Sequence, residues 1–156
     1  MTAGRVEGIY VASEPEAPTT AVSEATAVAG KGIEGDRKHR DRLPPAAREK
    51  PGRELTLIEA EALEALALEA GIDLQPGESR RQVVTRGVRL NDLVGRRFAV
   101  GPLECVGVDL CEPCAHLEGL TRPGVIRGLV HRGGLRADIV RGGTLRPGDP
   151  VRALPE

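Results

Sequence analysis

Residues 96–109 read RRFAVGPLECVGVD. Phe98 and Val100 alternate with smaller or charged neighbours before Gly101-Pro102, and Leu103 and Cys105 do the same after it. Gly-Pro is a turn dipeptide, so Arg96–Val100 and Leu103–Asp109 read as the two strands of one hairpin. Outward from it the chain repeats the theme in short pieces. Arg5–Ser13, Ala25–Ala29, Gln82–Arg86 and Leu135–Val140 read as strands, and Thr144–Leu154, past Gly142-Gly143, as one more. Glu14–Thr20, rich in Glu, Pro and Thr, is a loop. Many short strands with frequent Gly/Pro punctuation predict a mainly β chain, a closed or nearly closed β-barrel of short mixed strands with helix packed outside. The βαβ alternation of a nucleotide-binding sheet is missing from the pattern.

One helix is clear, over about 57–70. Thr56-Leu57-Ile58-Glu59 has the form of a capping box, strong helix formers follow to Ala70, and Gly71 ends the run. Leu63, Leu66 and Ala67 share a face while Glu61, Glu64 and Glu69 fall largely elsewhere, which reads as a solvated acidic side. Pro113–Leu120 and Val125–Val130 read as short helical turns. Residues 36–52, DRKHRDRLPPAAREKPG, lack apolar periodicity and are long for an unstructured loop, so they are expected to be a mobile basic loop or part of a binding site.

The length, 156 residues, suits a single domain able to bury about two-thirds of its unfolded surface. Tyr10 and Phe98 are the sole aromatics, so the core is aliphatic and a nucleic-acid reader that stacks bases is disfavoured. No apolar run reaches the roughly 20 residues of a membrane span, and the start lacks the basic-then-apolar order of a signal peptide. A soluble, cytoplasmic protein is expected, touching neither membrane nor nucleic acid. There the odd set of Cys105, Cys111 and Cys114 points to catalysis or metal binding rather than disulfides. The net charge of −1 hides clustering: acids crowd 54–69, bases crowd 37–53 and 80–97. Of 22 basic residues three are lysine, leaving 19 arginines, whose planar fork suits phosphate or carboxylate.

Gly30-Lys31-Gly32-Ile33-Glu34-Gly35 matches G-x-G-x-x-G after a strand, but no helix opens behind it to hold a pyrophosphate. It reads instead as a glycine-rich turn that delivers Asp36, Arg37 and His39 to a loop. Arg80-Arg81 and Arg86 are candidates for an anion clamp, although Arg81 and Arg86 would face opposite sides of a regular strand. His131-Arg132-Gly133-Gly134-Leu135-Arg136 adds a polar glycine-rich turn. In Cys111-Glu112-Pro113-Cys114-Ala115-His116 the cysteines could serve as zinc ligands, but a structural site needs four donors and no second such pair exists. A redox dithiol has the spacing without thioredoxin-like surroundings. With Pro113 opening a helix, Cys114 would sit in its first turn, where unsatisfied N–H groups favour a thiolate, nucleophile or metal ligand. Cys105 alternates with valines and reads as a core residue.

Taken in order, GKGIEGDRKH (30–39), LTLIEAEALEAL (55–66), ESRRQVVTRGVRLNDLVGRRFAVG (78–101), LCEPCAHL (110–117) and VHRGGLRADIVRGGTLRPGD (130–149) resemble the MOSC domain, named for the C-terminal part of molybdenum cofactor sulfurase. The likeness spans roughly Val6 to Val151. It implies a β-barrel and a role in handling sulfur or the molybdenum cofactor (molybdopterin), with one cysteine carrying a persulfide or binding molybdenum. By motif position that is Cys114, with Cys111 as auxiliary. Gly35, Asp36, Arg37, His39, Arg81, Arg86, His131 and Arg136 become the expected cofactor-binding residues. The activity implied is that of a sulfurtransferase, or of the cofactor-binding part of a reductase for N-hydroxylated compounds. The expected partners are a sulfur donor of the cysteine-desulfurase type, a redox protein or both, and a homodimer is compatible. Some members carry a fused pyridoxal-phosphate domain, but the present domain alone is not expected to use that cofactor. Gln82 stands where the resemblance leads one to expect asparagine. The rival readings are a non-catalytic module that binds an anion or cofactor, and a zinc protein using Cys111 and Cys114.

Overall fold

The computed structural model describes residues 4–156. Its strands are β1 Gly4–Val11, β2 Thr20–Val22, β3 Ala25–Val28, β4 Gly32–Ile33, β5 Leu55–Glu59, β6 Val83–Arg86, β7 Arg97–Val100, β8 Leu103–Leu110, β9 Leu135–Arg141, β10 Gly143–Leu145 and β11 Pro150–Ala153. The helices are α1 Pro45–Arg48, α2 Ala60–Ala70, α3 Ala115–Leu120 and α4 Val125–Leu129, with short 3₁₀ turns between elements. The main sheet runs β11-β7-β8-β9-β5-β6-β1, and β1 pairs back onto β11, which closes a seven-stranded mixed barrel; β2 extends it beside β1. A small separate sheet, β10-β3-β4, packs Ala25, Ala27, Ile33 and Leu145 into the same core. Among the described residues no helix is long and apolar enough to cross a membrane.

The hairpin forms as its alternation predicts. β7 and β8 pair antiparallel with Phe98 opposite Cys105 and Val100 opposite Leu103, and all four are 0% exposed. Each such side chain contributes about 1.5–3 kcal/mol by leaving water. Arg97 and Glu104 alternate outward and form a 2.9 Å ion pair across the two strands. The barrel interior continues with Leu55, Leu57, Leu135 and Ala137, and a second apolar cluster lies outside, where Ile58 and Val84 meet Leu63, Leu66, Val125 and Leu129 from α2 and α4. Gly128 permits that approach, because a Cβ there would collide with the Leu66 side chain.

The capping box is not one. Thr56–Glu59 is strand, and α2 starts at Ala60 with Glu59 as an N-cap whose side chain caps nothing. Leu55 and Leu57 fill the barrel while Ile58 faces the helix layer, so both faces of β5 are buried and pairing overrides local helix propensity. From β5 through α2 to β6 the chain makes one βαβ crossover, and β5 and β6 pair in parallel, a unit the short strand pattern conceals. Thr144–Leu154 is likewise not continuous: Pro147-Gly148 turn between β10 and β11, with the Arg146 N–H donating to Asp149 Oδ2 at 2.8 Å. Residues 36–52 carry α1 and a 3₁₀ turn at Arg40–Arg42, and Arg40 bonds Glu54 at 2.8 Å and Asp138 at 3.2 Å.

Candidate functional site

At one end of the barrel a fully buried carboxylate organises three loops. Asp36 Oδ1 accepts from the Ala12 N–H at 3.0 Å and from Arg37 Nη1 at 3.1 Å, and its Oδ2 accepts from the Lys38 N–H at 2.9 Å and Gln82 Nε2 at 2.8 Å. Four donors on one carboxylate offset the cost of burying its charge. Gln82 completes the hub, since its Oε1 accepts from the Thr56 N–H at 2.9 Å and its own N–H donates to Thr56 Oγ1 at 3.1 Å. The residue that departs from the expected asparagine therefore holds loop to strand.

Around that hub backbone carbonyls hold the arginines, with Arg37 also bound to Asp36. Arg37 Nη2 donates to the Arg80 carbonyl at 3.0 Å, and Arg80 itself donates to the carbonyls of Pro15 and Ala17 at 2.7 and 2.8 Å. Arg81, 8% exposed, donates to the carbonyls of Gly133 at 2.7 Å, Cys111 at 2.9 Å and Ser79 at 3.3 Å. Carbonyls fix the Arg80 and Arg81 guanidiniums without neutralising them, whereas Arg37 is also paired with Asp36, so the charge of Arg80 and Arg81 remains available to a ligand. Arg80 adopts the left-handed conformation with φ 63°, and His131 does so with φ 60°; such strain in non-glycine residues concentrates at functional sites.

A cavity of about 390 Å³, within the usual 300–1,000 Å³ of small-molecule sites, opens here. Arg37, Lys38, Arg42, Arg80 and Arg81 line it, and Cys114 and His116 stand on its other wall. Among the described residues no acidic side chain lines it. Cys114 is exposed, Cys111 half-buried and Cys105 buried. Burial, reinforced by the Arg37 guanidinium, pushes the Lys38 ammonium below the usual lysine range. Burial does the same to Arg80, again with Arg37 adding to it. Cys114 is not in the first turn of α3: it is the N-cap, extended at φ −133°, and the helix starts at Ala115. Pro113 holds the preceding residue, and the stretch before it is pinned where the Cys111 N–H donates to the Gly134 carbonyl at 2.7 Å. Gly134, at φ 112°, packs so closely on the Leu57 carbonyl that a side chain would collide.

The structure thus brings Arg37, Arg81 and Cys114 together, with Asp36 behind them. Gly35 turns the chain at φ 80°, and His39 Nδ1 accepts from the Asp41 N–H at 3.2 Å; neither lines the cavity. Arg86 lies elsewhere, with its guanidinium on Glu7 at 2.8 Å and Glu64 at 2.7 Å. His131 Nδ1 is 2.7 Å from Glu112 Oε2, and Arg136 pairs with Asp109 at 2.9 Å. Lys38 and Arg42 are the lining cations not expected as ligands, while Arg80 belongs to the expected anion clamp. Arg80 carried a signal in its pairing with Arg81, whereas Lys38 and Arg42 sit in a charged run with no pattern to separate them. Among the described residues no three His, Cys, Asp or Glu side chains gather as metal ligands, so the zinc reading finds no donor set beyond its two cysteines.

A family model described as the MOSC domain matches residues 44–152. No curated protein matches the chain by sequence. Among solved structures it is similar to the YuaD protein of Bacillus subtilis, at TM-score 0.78 and 16% identity over 97% of this chain and 96% of that one. It is also similar to YiiM of Geobacillus stearothermophilus, at TM-score 0.73 and 14% identity over 97% and 75% of the two chains. YiiM of Escherichia coli gives TM-score 0.71 and 16% identity over 100% and 71%.

Proposed function

The chain belongs to the MOSC domain family, which is associated with molybdenum cofactor binding or sulfur transfer, and we propose that Cys114 carries sulfur as a persulfide beside a cavity for the anionic part of a molybdopterin-type cofactor. One observation carries the reading. An exposed thiol shares a cavity with Lys38, Arg80 and Arg81, whose charges have no carboxylate partner among the described residues.

The donor set fits such a group. A metal that brings its own dithiolene needs one further soft donor rather than a preformed cluster, and a thiolate is that donor. Arg80, Arg81 and Lys38 would hold the anionic phosphate, and Cys114 would face the metal end. The cofactor, when bound, supplies redox chemistry at molybdenum. The protein's own step is sulfur uptake. The Cys114 thiolate attacks the outer sulfur of a persulfide donor, the donor's S–S bond breaks and its thiolate leaves, while a new bond forms between Cys114 Sγ and the transferred sulfur. The cations that line the same cavity face the persulfide anion that results. The donor is another molecule, of the cysteine-desulfurase type, and a redox partner would serve the reductase form of this activity.

Treatment with a persulfide donor should add about 32 Da to the native protein, on the peptide that contains Cys114, and Cys114→Ser should remove the adduct. A protein that binds pyrophosphate but takes no sulfur in wild-type form would instead be an anion-binding module.

A further inference from the structure

Lys38 differs from every other cation of the cavity. Arg37 is bound to Asp36 and the Arg80 carbonyl, Arg80 to two carbonyls, Arg81 to three, and Arg42 to the Gly35 carbonyl at 3.3 Å. Those guanidiniums are fixed. The Lys38 backbone is fixed as well, by its N–H on Asp36 Oδ2 at 2.9 Å, yet its ammonium has no hydrogen-bond or ion-pair partner among the described residues. It is half-buried in the cavity wall, where the Arg37 and Arg81 guanidiniums act on it. A charge partly stripped of water and faced by like charges is costly, and an incoming anion relieves both penalties at once. The flexible lysine stem lets this one charge move to meet the anion. Lys31 and Lys50, the other lysines, are exposed, and Lys31 is already paired with Asp41 at 2.6 Å.

We infer that Lys38 is the specificity-determining cation of the cavity, selecting small anions such as phosphate esters and ionised sulfur compounds over neutral molecules of the same size. The inference rests on the proposed reading in one respect, that Cys114 opens on the same cavity.

Two measurements test it. Calorimetric binding of inorganic pyrophosphate at pH 7 should weaken at least about fivefold in Lys38→Met, as expected for one charge lost several ångströms away in a partly wet site, and stay within about twofold in Lys38→Arg. Lys50→Met, which removes the same charge outside the cavity, should bind as wild type does. Alkylation of Cys114, read by mass on its peptide, should favour iodoacetate over iodoacetamide in wild type, and that ratio should fall by a similar factor in Lys38→Met. Equal pyrophosphate affinity in wild type and Lys38→Met overturns the inference, as does a wild type that binds no pyrophosphate. If Cys114 takes no sulfur but Lys38 still governs pyrophosphate, the proposed function falls and this inference stands; sulfur uptake with no effect of Lys38 gives the reverse.

Discussion

Arg81 and Arg86 flank one short strand and look alike in the sequence, yet they occupy opposite electrostatic situations. Arg86 lies between Glu7 and Glu64, which raise its already high pKa and cancel its charge. Arg81 is buried and donates to carbonyls alone. The difference teaches that an arginine's value to a ligand depends on what else it holds: two carboxylates make a closed surface pair, whereas three carbonyls make a rigid, uncompensated cation. At the cavity Arg80 and Arg81 follow the second pattern, and Arg86 on the outer face follows the first.

The contrast breaks most severely at Asp36. Asp36→Ala removes the acceptor of four donors, two of them buried side chains, and should cost about 3–5 kcal/mol in chemical denaturation. A loss below about 1 kcal/mol would show that loop and barrel do not depend on the hub. Arg81→Met comes next. It leaves the carbonyls of Gly133 and Cys111 without this donor, which should cost about 1–3 kcal/mol, and it should weaken pyrophosphate binding about tenfold or more. Cys105 sharpens the comparison from within the barrel. Burial pushes its thiol from the usual 9.0 up to about 12, so it should resist alkylation in the native state under conditions that label Cys114. Because the folded state favours the neutral thiol, this contribution to stability is complete below pH 9 and is lost as pH rises from about 9 to about 12, which thermal melts of wild type and Cys105→Ala would resolve. The smallest effect belongs to Arg86→Ala. Its pairs are exposed, so neither the melting temperature nor pyrophosphate affinity should move measurably. A clear loss of pyrophosphate affinity there would erase the distinction between the two arginines.

Much of this architecture was legible in the sequence because it depends on period and punctuation. The Phe98–Cys105 hairpin and the helix ending at Gly71 rest on alternation and on a left-handed cap. The start of the helix was not legible. Thr56–Glu59 satisfies a local capping pattern, but Leu55, Leu57 and Ile58 gain more from burial on both faces of a strand than a cap provides. The cavity was legible only in part. Lys38 and Arg42 lie in DRKHRDR, a polar run in which no period separates one face from another; Lys38 is placed by its N–H on Asp36, whose other partners Ala12 and Gln82 are remote in the chain. Gln82 resisted reading for the same reason, since its amide bridges Asp36 to Thr56 across elements that only the closed barrel brings together.

The most direct test of the account is intact-protein mass spectrometry after treatment with a persulfide donor, with peptide mapping of wild type and Cys114→Ser. The account predicts a gain of about 32 Da confined to Cys114 and absent from the variant. A wild type that gains no sulfur, or an adduct that survives Cys114→Ser, would contradict it.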